Sequence, residues 1–345
     1  LYHANAQIQE NSLVPKELKI CGLGNAIVDV FLELSDSEFG SLGFEKGGMR
    51  LVEAAEQKDL LDRYQSSEPK LVSGGSVANS IIAFSQLGGS AAFIGCVGDD
   101  RYGLFYTGEM EELGIEIGNP IIVNQTTGTC LCLITPDAER TMRTSLAVAS
   151  HLSARHVDAD IVAKSEWLFI EGYVFANPET GQTAIREAIK IAKASGTKVA
   201  ITCSDAFIVN VFGDALREAL KNTDLFFCNE SEAAAVTGAA TAEAAFEQLA
   251  ATLPSVVVTN GPNGAYVKHG KVKAHVPAYP STPKDLTGAG DMFAGSFLYG
   301  ITHGVSPEKA AAGAAFLCHK VISQVGARLH HGTRSFWDEA LAKAK

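Results

Sequence analysis

The segment Asp285-Leu286-Thr287-Gly288-Ala289-Gly290-Asp291 runs directly into a stretch over 288–303 with the spacing of a helix. Small residues at a helix start leave consecutive backbone N–H groups unobstructed, and the positive end of the helix dipole reinforces them. Gly288, Ala289 and Gly290 therefore make a candidate anion hole of the kind that takes a phosphate. Asp291, in the first helical turn, would stand beside that anion and cannot clamp it. A carboxylate there makes sense as the acceptor of a proton from an attacking hydroxyl. Taken locally, an ordinary helix start with an acidic first turn would look the same.

Other clusters carry related possibilities. Ser73-Gly74-Gly75-Ser76 opens a helix-like stretch over 76–86 that contains Asn79. Paired glycines admit a ligand close to the backbone, and Asn79 offers both a donor and an acceptor. A plain strand-to-helix turn is the alternative. Gly22-Leu23-Gly24-Asn25 and Asp29 lie in an apolar run over 20–30. Polar side chains in such a run need partners, and sugar hydroxyls would be suitable ones. Asn229-Glu230-Ser231-Glu232 follows the run 224–228. Acidic groups at the carboxyl end of a strand could hold hydrated magnesium or simply start a helix. Thr259-Asn260-Gly261-Pro262-Asn263-Gly264 suits either a nucleotide or a hairpin turn.

The elements that must position these residues alternate in type. Strand-like apolar runs fall at 20–30, 91–97, 167–174, 198–203, 224–228 and 255–259. Helix-like stretches fall at 76–86, 178–194, 205–221, 242–253, 288–303 and 307–323. Short apolar strands alternating with helices predict an α/β fold, a mostly parallel sheet covered on both faces. Residues 31–70 and 119–147 break the rhythm with short β-type runs at 128–135 and 141–147, which predicts a small strand-rich lid within those two segments. Residues 1–17 show neither pattern nor a secretory signal and are read as an extension to a unit spanning 18–345.

Composition narrows the function classes. With 46% hydrophobic residues, 19% charged residues and no apolar run of membrane-spanning length, the chain reads as globular, without a membrane partner. A net charge of −11 argues against a nucleic-acid partner, which would require clustered Lys and Arg. The seven cysteines form no CxxC pair and sit mostly in apolar runs, as expected of reduced thiols in a cytoplasmic protein. The nine histidines form no HExxH pattern. Several familiar motifs fail: Ile27 stands where a dinucleotide fingerprint needs its third glycine, Gly264 to Lys271 has the wrong spacing for a Walker A loop, and Gly74-Gly75-Ser76-Val77-Ala78 lacks the last glycine of a nucleophile elbow.

Taken in order along the chain, the paired glycines with Asn79 and the later Gly288–Asp291 segment resemble the two signatures of the PfkB, or ribokinase-like, family of carbohydrate and nucleoside kinases. The likeness runs from about residue 18 to about 337. Gly24-Asn25…Asp29, Thr127-Gly128-Thr129-Cys130, Ile134-Thr135…Arg140 and Asn229-Glu230-Ser231-Glu232 are most similar to its nucleoside-phosphorylating branch, whose acceptor is adenosine.

The resemblance implies a three-layer α/β/α core with a β-rich lid, and ATP and Mg2+ as cofactors. It implies that Asp29, Asn79, Gly74 and Gly75 hold ribose hydroxyls in a pocket lined also by Asn25. Cys130, Met142 and Tyr173 would contact the purine, and Arg140 would approach the transferring phosphoryl group. Asn229 and Glu232 would organise magnesium and phosphate through water. Thr259, Gly261 and Gly264 would border ATP together with Asn229, Gly288 and Gly290. Asp285, Thr287 and Gly326 would form a potassium site of the kind some members have. Leu286 departs from the family pattern, which has Thr at that position. A sugar kinase acting on ribose, fructose or a keto-deoxy sugar acid, and a non-catalytic nucleotide-binding protein, are the alternatives. Monomer and homodimer are equally compatible with the sequence.

Overall fold

The computed structural model describes residues 15–64, 69–118, 120–137 and 139–343. Residues 1–14, most of the expected extension, lie outside that description. Among the described residues, a nine-stranded sheet has the order Val272–Val276, Ala265–His269, Ser255–Thr259, Leu225–Asn229, Lys198–Thr202, Ser165–Glu171, Leu18–Leu23, Ala91–Ile94, Ile115–Ile117. The first two are joined to the sheet antiparallel and every other pairing is parallel. Strict alternation sends Trp167 and Phe169 into one apolar layer and Leu168 and Ile170 into the other. Helices Ser76–Gln86, Ala289–Thr302 and Pro307–Val321 cover the first face. Helices Gly181–Ser195, Ala206–Leu220 and Ala242–Thr252 cover the second. This is the expected α/β core with both faces buried.

A second sheet, five-stranded among the described residues, has the order Met49–Leu51, Arg140–Ser145, Gly128–Ile134, Ile27–Glu33, Lys70–Gly74. One face, with Val28, Val30, Leu32, Leu131 and Leu133, packs on Phe39 and Leu60 of two short helices. Gln57 fastens that face by donating through Nε2 to the carbonyls of Thr129 and Arg143 at 2.8 and 2.9 Å. The opposite face presents Ile27, Phe31, Cys130, Cys132 and Met142.

The lid sheet draws residues 27–30 of its strand Ile27–Glu33 and 71–74 of its strand Lys70–Gly74 from outside the expected segments, the first because the apolar run 20–30 is two strands rather than one. The chain leaves the core sheet after Leu23 and enters the lid at Ile27. Glu171 pins the corner between them: its Oε1 accepts from Asn25 Nδ2 at 2.8 Å, and a Cβ on Gly24 would meet its Oε2 at 2.6 Å. Hydropathy is blind to that corner, because both strands are buried. The run 167–174 likewise ends early, at Glu171, and continues as a 3-10 turn over Gly172–Ala176.

Candidate active site

Helix Ala289–Thr302 begins at Gly288, whose φ of 76° lies in the left-handed region, and a Cβ there would stand 2.3 Å from the carbonyl oxygen of Ala327. Glycine is therefore required at 288 by the fold itself. Gly290 differs: it is exposed, its φ is ordinary, and nothing lies within 4 Å of where its Cβ would be. No protein contact explains that glycine; Ala289 N donates to the Leu286 carbonyl at 3.3 Å, and the space over the Gly290 amide is left open to something outside the chain.

Asp291 is held from the neighbouring helix. Ser76 Oγ donates to its Oδ1 at 2.7 Å, and Asn79 Nδ2 donates to its Oδ2 at 3.1 Å. Burial pushes the Asp291 carboxyl up to about 6, and these two hydrogen bonds limit the rise. It is thus a carboxylate near neutral pH, yet more basic than an exposed one. Helix Ser76–Gln86 starts from Gly75, whose φ is 101° and whose Cβ would collide with the Asn25 carbonyl at 2.2 Å. Gly74 leaves room for the Asp29 carboxylate, which a Cβ would meet at 2.9 Å. Both paired glycines are therefore close-approach positions, one against the corner at Asn25 and one against Asp29.

Asp29 sits on the lid strand facing this point, with its carboxyl pushed up to about 6 by burial and pulled back by the charges of Arg328 and Arg140. Asp29 and Asn79 share the lining of a cavity of about 670 Å3 with Phe31, Lys70, Glu109 and Arg328. Arg140 extends from the lid and pairs through Nη1 with Asp285 Oδ2, its guanidinium 5.2 Å from the Phe31 ring centre. It thereby ties the lid to the loop that leads into helix Ala289–Thr302.

Asp285, Thr287 and Gly326 do converge. Thr287 N donates to Asp285 Oδ1 at 2.9 Å and Gly326 N to Oδ2 at 2.8 Å. The positive charge beside Asp285 is already that of Arg140, so these three residues do not fit a potassium ion in this arrangement. Asn229 and Glu232 form a reciprocal cap on helix Glu230–Thr237: Asn229 Oδ1 accepts from Glu232 N at 2.9 Å, and Glu232 Oε2 accepts from Asn229 N at 3.0 Å. With these atoms engaged and Glu232 buried, neither side chain is free to bind a metal directly in this arrangement. Burial pushes Glu232 up to about 7.

Thr259, Gly261 and Gly264 belong to a hairpin between Ser255–Thr259 and Ala265–His269, so the turn alternative holds there. Gly261 is exposed with open space around its Cβ position, whereas a Cβ on Gly264 would stand 2.0 Å from the Val276 carbonyl oxygen. Only the first leaves backbone free for a nucleotide. Cys130 and Met142 share the apolar lid cluster, but Tyr173 packs with the layer on the far face of the core sheet. The three thus pack in two different apolar layers. Tyr173 lies on the 3-10 turn, where Gly172 is pressed against Cys203, whose carbonyl oxygen a Cβ would meet at 2.1 Å.

Three site residues have no counterpart in the sequence reading. Ser76 stood inside the quoted glycine motif and was legible as an N-terminal helix residue beside Asn79. Glu171 ends a strand, and an acidic residue closing an apolar run was the available signal. Arg328 belongs to no local motif. Its side chain is buried, donates to the Ser73 carbonyl and lies 3.5 Å from Glu109 Oε2.

Glu171 also makes a prediction. Burial pushes its carboxyl up to about 7, against hydrogen bonds from Val77 N and Asn25 that pull it down. An unfolded glutamate titrates near ~4.3. Because the folded value is the higher one, its contribution to stability is present below ~4.3 and is lost as pH rises toward 7. Thermal denaturation between pH 4.5 and 7.5 should show Glu171→Gln with a flatter decline than the unmodified chain, the difference amounting to roughly 3 kcal/mol at most. Parallel curves for the two proteins would remove Glu171 as the source.

The chain is 28% identical over 326 residues to the adenosine kinase of Saccharomyces cerevisiae, covering 88% of this chain and 94% of that one. Its fold matches the crystal structure of adenosine kinase from Sinorhizobium meliloti with a TM-score of 0.82 at 32% identity, covering 94% and 99% of the two chains. It matches a probable sugar kinase from Rhizobium etli with a TM-score of 0.84 at 29% identity, covering 95% and 99%. Residues 49–332 fit the profile of the pfkB family carbohydrate kinases, and with the glycine-opened helix and its oriented aspartate already in place, this chain is a kinase belonging to that family.

Proposed function

We propose that this kinase phosphorylates the primary hydroxyl of a nucleoside, with adenosine as the acceptor and ATP with Mg2+ as the donor. One observation carries the reading: Asp291 is oriented by two hydrogen bonds, beside helix amides left open by a glycine that no packing requires. Asp291 takes the proton from the acceptor hydroxyl as that oxygen becomes the nucleophile. Ser76 and Asn79 fix its carboxylate, and Asp29 across the cleft is free to accept from ribose hydroxyls. The amides of Gly288 and Gly290 would take up charge on the moving phosphoryl group, that of Ala289 being turned to the Leu286 carbonyl at 3.3 Å. Arg140 would join them once released from Asp285. Bound ATP and magnesium would supply the phosphoryl group and part of its charge neutralisation, with Asn229 and Glu232 reaching the metal through water and Thr259 and Gly261 bordering the nucleotide. The lid wall of Ile27, Phe31, Cys130 and Met142 offers an apolar surface on which a base could lie.

A sugar acceptor is the second reading. Glu33, Lys70, Glu109 and Arg328 put charge, and His330 a polar ring, into the cavity beside Asp29, and many hydroxyls would use such walls better than a purine would. A coupled ADP-release assay separates the two, run with adenosine, inosine, guanosine, ribose, fructose and 2-keto-3-deoxygluconate. Turnover with adenosine and none with free sugars is the expected outcome. Preference for a sugar would overturn the nucleoside assignment while leaving Asp291 in place.

A further inference from the structure

The geometry points to a site for a thiophilic divalent cation, zinc in type, formed by Asp29, Cys130 and Cys132 in the wall of the acceptor cleft. Cys130 and Cys132 are two residues apart on the strand Gly128–Ile134, so their side chains share one face. Their sulfurs lie 3.7 Å apart. Two thiolates on a tetrahedral zinc, each ~2.3 Å from the metal, stand roughly 3.8 Å apart. The pair is thus spaced for two ligand positions of one ion. Asp29 is the register partner of Cys130 on the adjacent parallel strand, and one carboxylate oxygen and the two sulfurs all lie within 4.8 Å of one another.

The Asp29 carboxylate makes no ion pair and no hydrogen bond among the described residues. The two nearby guanidiniums, whose charges hold its carboxyl down, are each matched by another carboxylate, Arg140 by Asp285 and Arg328 by Glu109. A carboxylate left in this state beside two soft donors is a mixed sulfur and oxygen set of the type zinc accepts. Zinc is bound by the thiolate form of cysteine, so each thiol gives up its proton on binding. Binding therefore exchanges protons for the ion. The metal forms two bonds to sulfur and one to a carboxylate oxygen, and the two thiol protons go to solvent, with no electron transferred. A fourth position remains for water.

Occupancy would take Asp29 out of use, so the ion should block the acceptor and not the nucleotide. That consequence rests on the proposed acceptor role of Asp29; the binding itself does not. The test is titration of the full chain with Co2+ and then Zn2+, reading thiolate-to-cobalt charge-transfer absorption and proton release. One equivalent of Co2+ should develop the band, release about two protons at neutral pH and be displaced by Zn2+. Cys132→Ser should abolish the band and weaken binding by more than the ~10–100-fold that loss of an outer-shell partner costs. Cys132→Ala, which keeps the site apolar, guards against a serine variant that does not fold. Cys96→Ser serves as the control, because Cys96 Sγ lies 3.6 Å from His156 Nδ1, a second close pair of metal-ligating groups. No band in the unmodified chain, or a band lost with Cys96 and kept in the Cys132 variants, overturns the site. Zn2+ inhibition that acceptor relieves and ATP does not supports the blocking role, and full activity with the site loaded overturns that role alone.

Discussion

Asp291→Asn lowers kcat by about 10²–10⁴-fold, the usual worth of a positioned general base, with the protein still folded. Asparagine keeps the size of the side chain and can still accept from Ser76 or Asn79 through its one carbonyl oxygen, but it cannot take a proton. The loss should fall on kcat and leave nucleotide affinity nearly unchanged. The pH profile carries a second, independent readout. With the Asp291 carboxyl near 6, kcat/KM of the unmodified enzyme should be flat above neutrality and fall about tenfold per pH unit below about 6. The residual activity of the asparagine variant should lack that acidic limb. Retention of the limb in the variant would assign the base elsewhere. The other raised carboxylates at the site, Asp29 and Glu171, would then be the groups to test.

Gly290→Ala separates binding chemistry from folding in the opposite direction. Alanine in a helix is favoured over glycine by roughly 0.5–1 kcal/mol, and at 290 the new methyl meets no protein atom within 4 Å. Denaturation should therefore show unchanged or slightly raised stability. The same methyl would occupy the space above the first-turn amides, holding a phosphoryl group off them. Disrupting comparable oxyanion donors costs about 10²–10³-fold in rate, and a loss of that order is expected here. Gly288→Ala is the contrasting case. The left-handed φ and the 2.3 Å approach to Ala327 predict a loss of stability together with activity. An active Gly290→Ala enzyme would show that the open helix start is not where the phosphoryl group travels.

Much of the core could be read locally. The stretch 76–86 forms a helix and 255–259 a strand at the expected limits. In both, the evidence was contained in a few neighbouring residues: a glycine pair opening a helical period, or a β-branched run closed by a turn. The helix start at Gly288–Gly290 was legible for the same reason, since small residues mark a helix N-terminus locally. Hydropathy could not find the break at residues 24–26, because an apolar run buried in two different sheets looks like one buried in a single sheet. Nor could it find the end of the strand at Glu171, where the chain turns tightly against Cys203 and places Tyr173 on a 3-10 turn.

The sequence by itself determined which residues had chemistry to offer and the α/β core that carries them, because backbone periodicity, glycine geometry and helix dipoles act over a few residues. Only the tertiary structure decided which of them meet. Arg140 reaches Asp285 across 145 residues, Ser76 reaches Asp291 across 215 and Arg328 reaches Ser73 across 255. Their partnership depends on how the lid, the glycine-opened helices and the 326–328 segment pack together. The raised pKa of Asp291 likewise comes from the water excluded by elements far away in the chain, which is a property of the packed molecule and not of any segment in it.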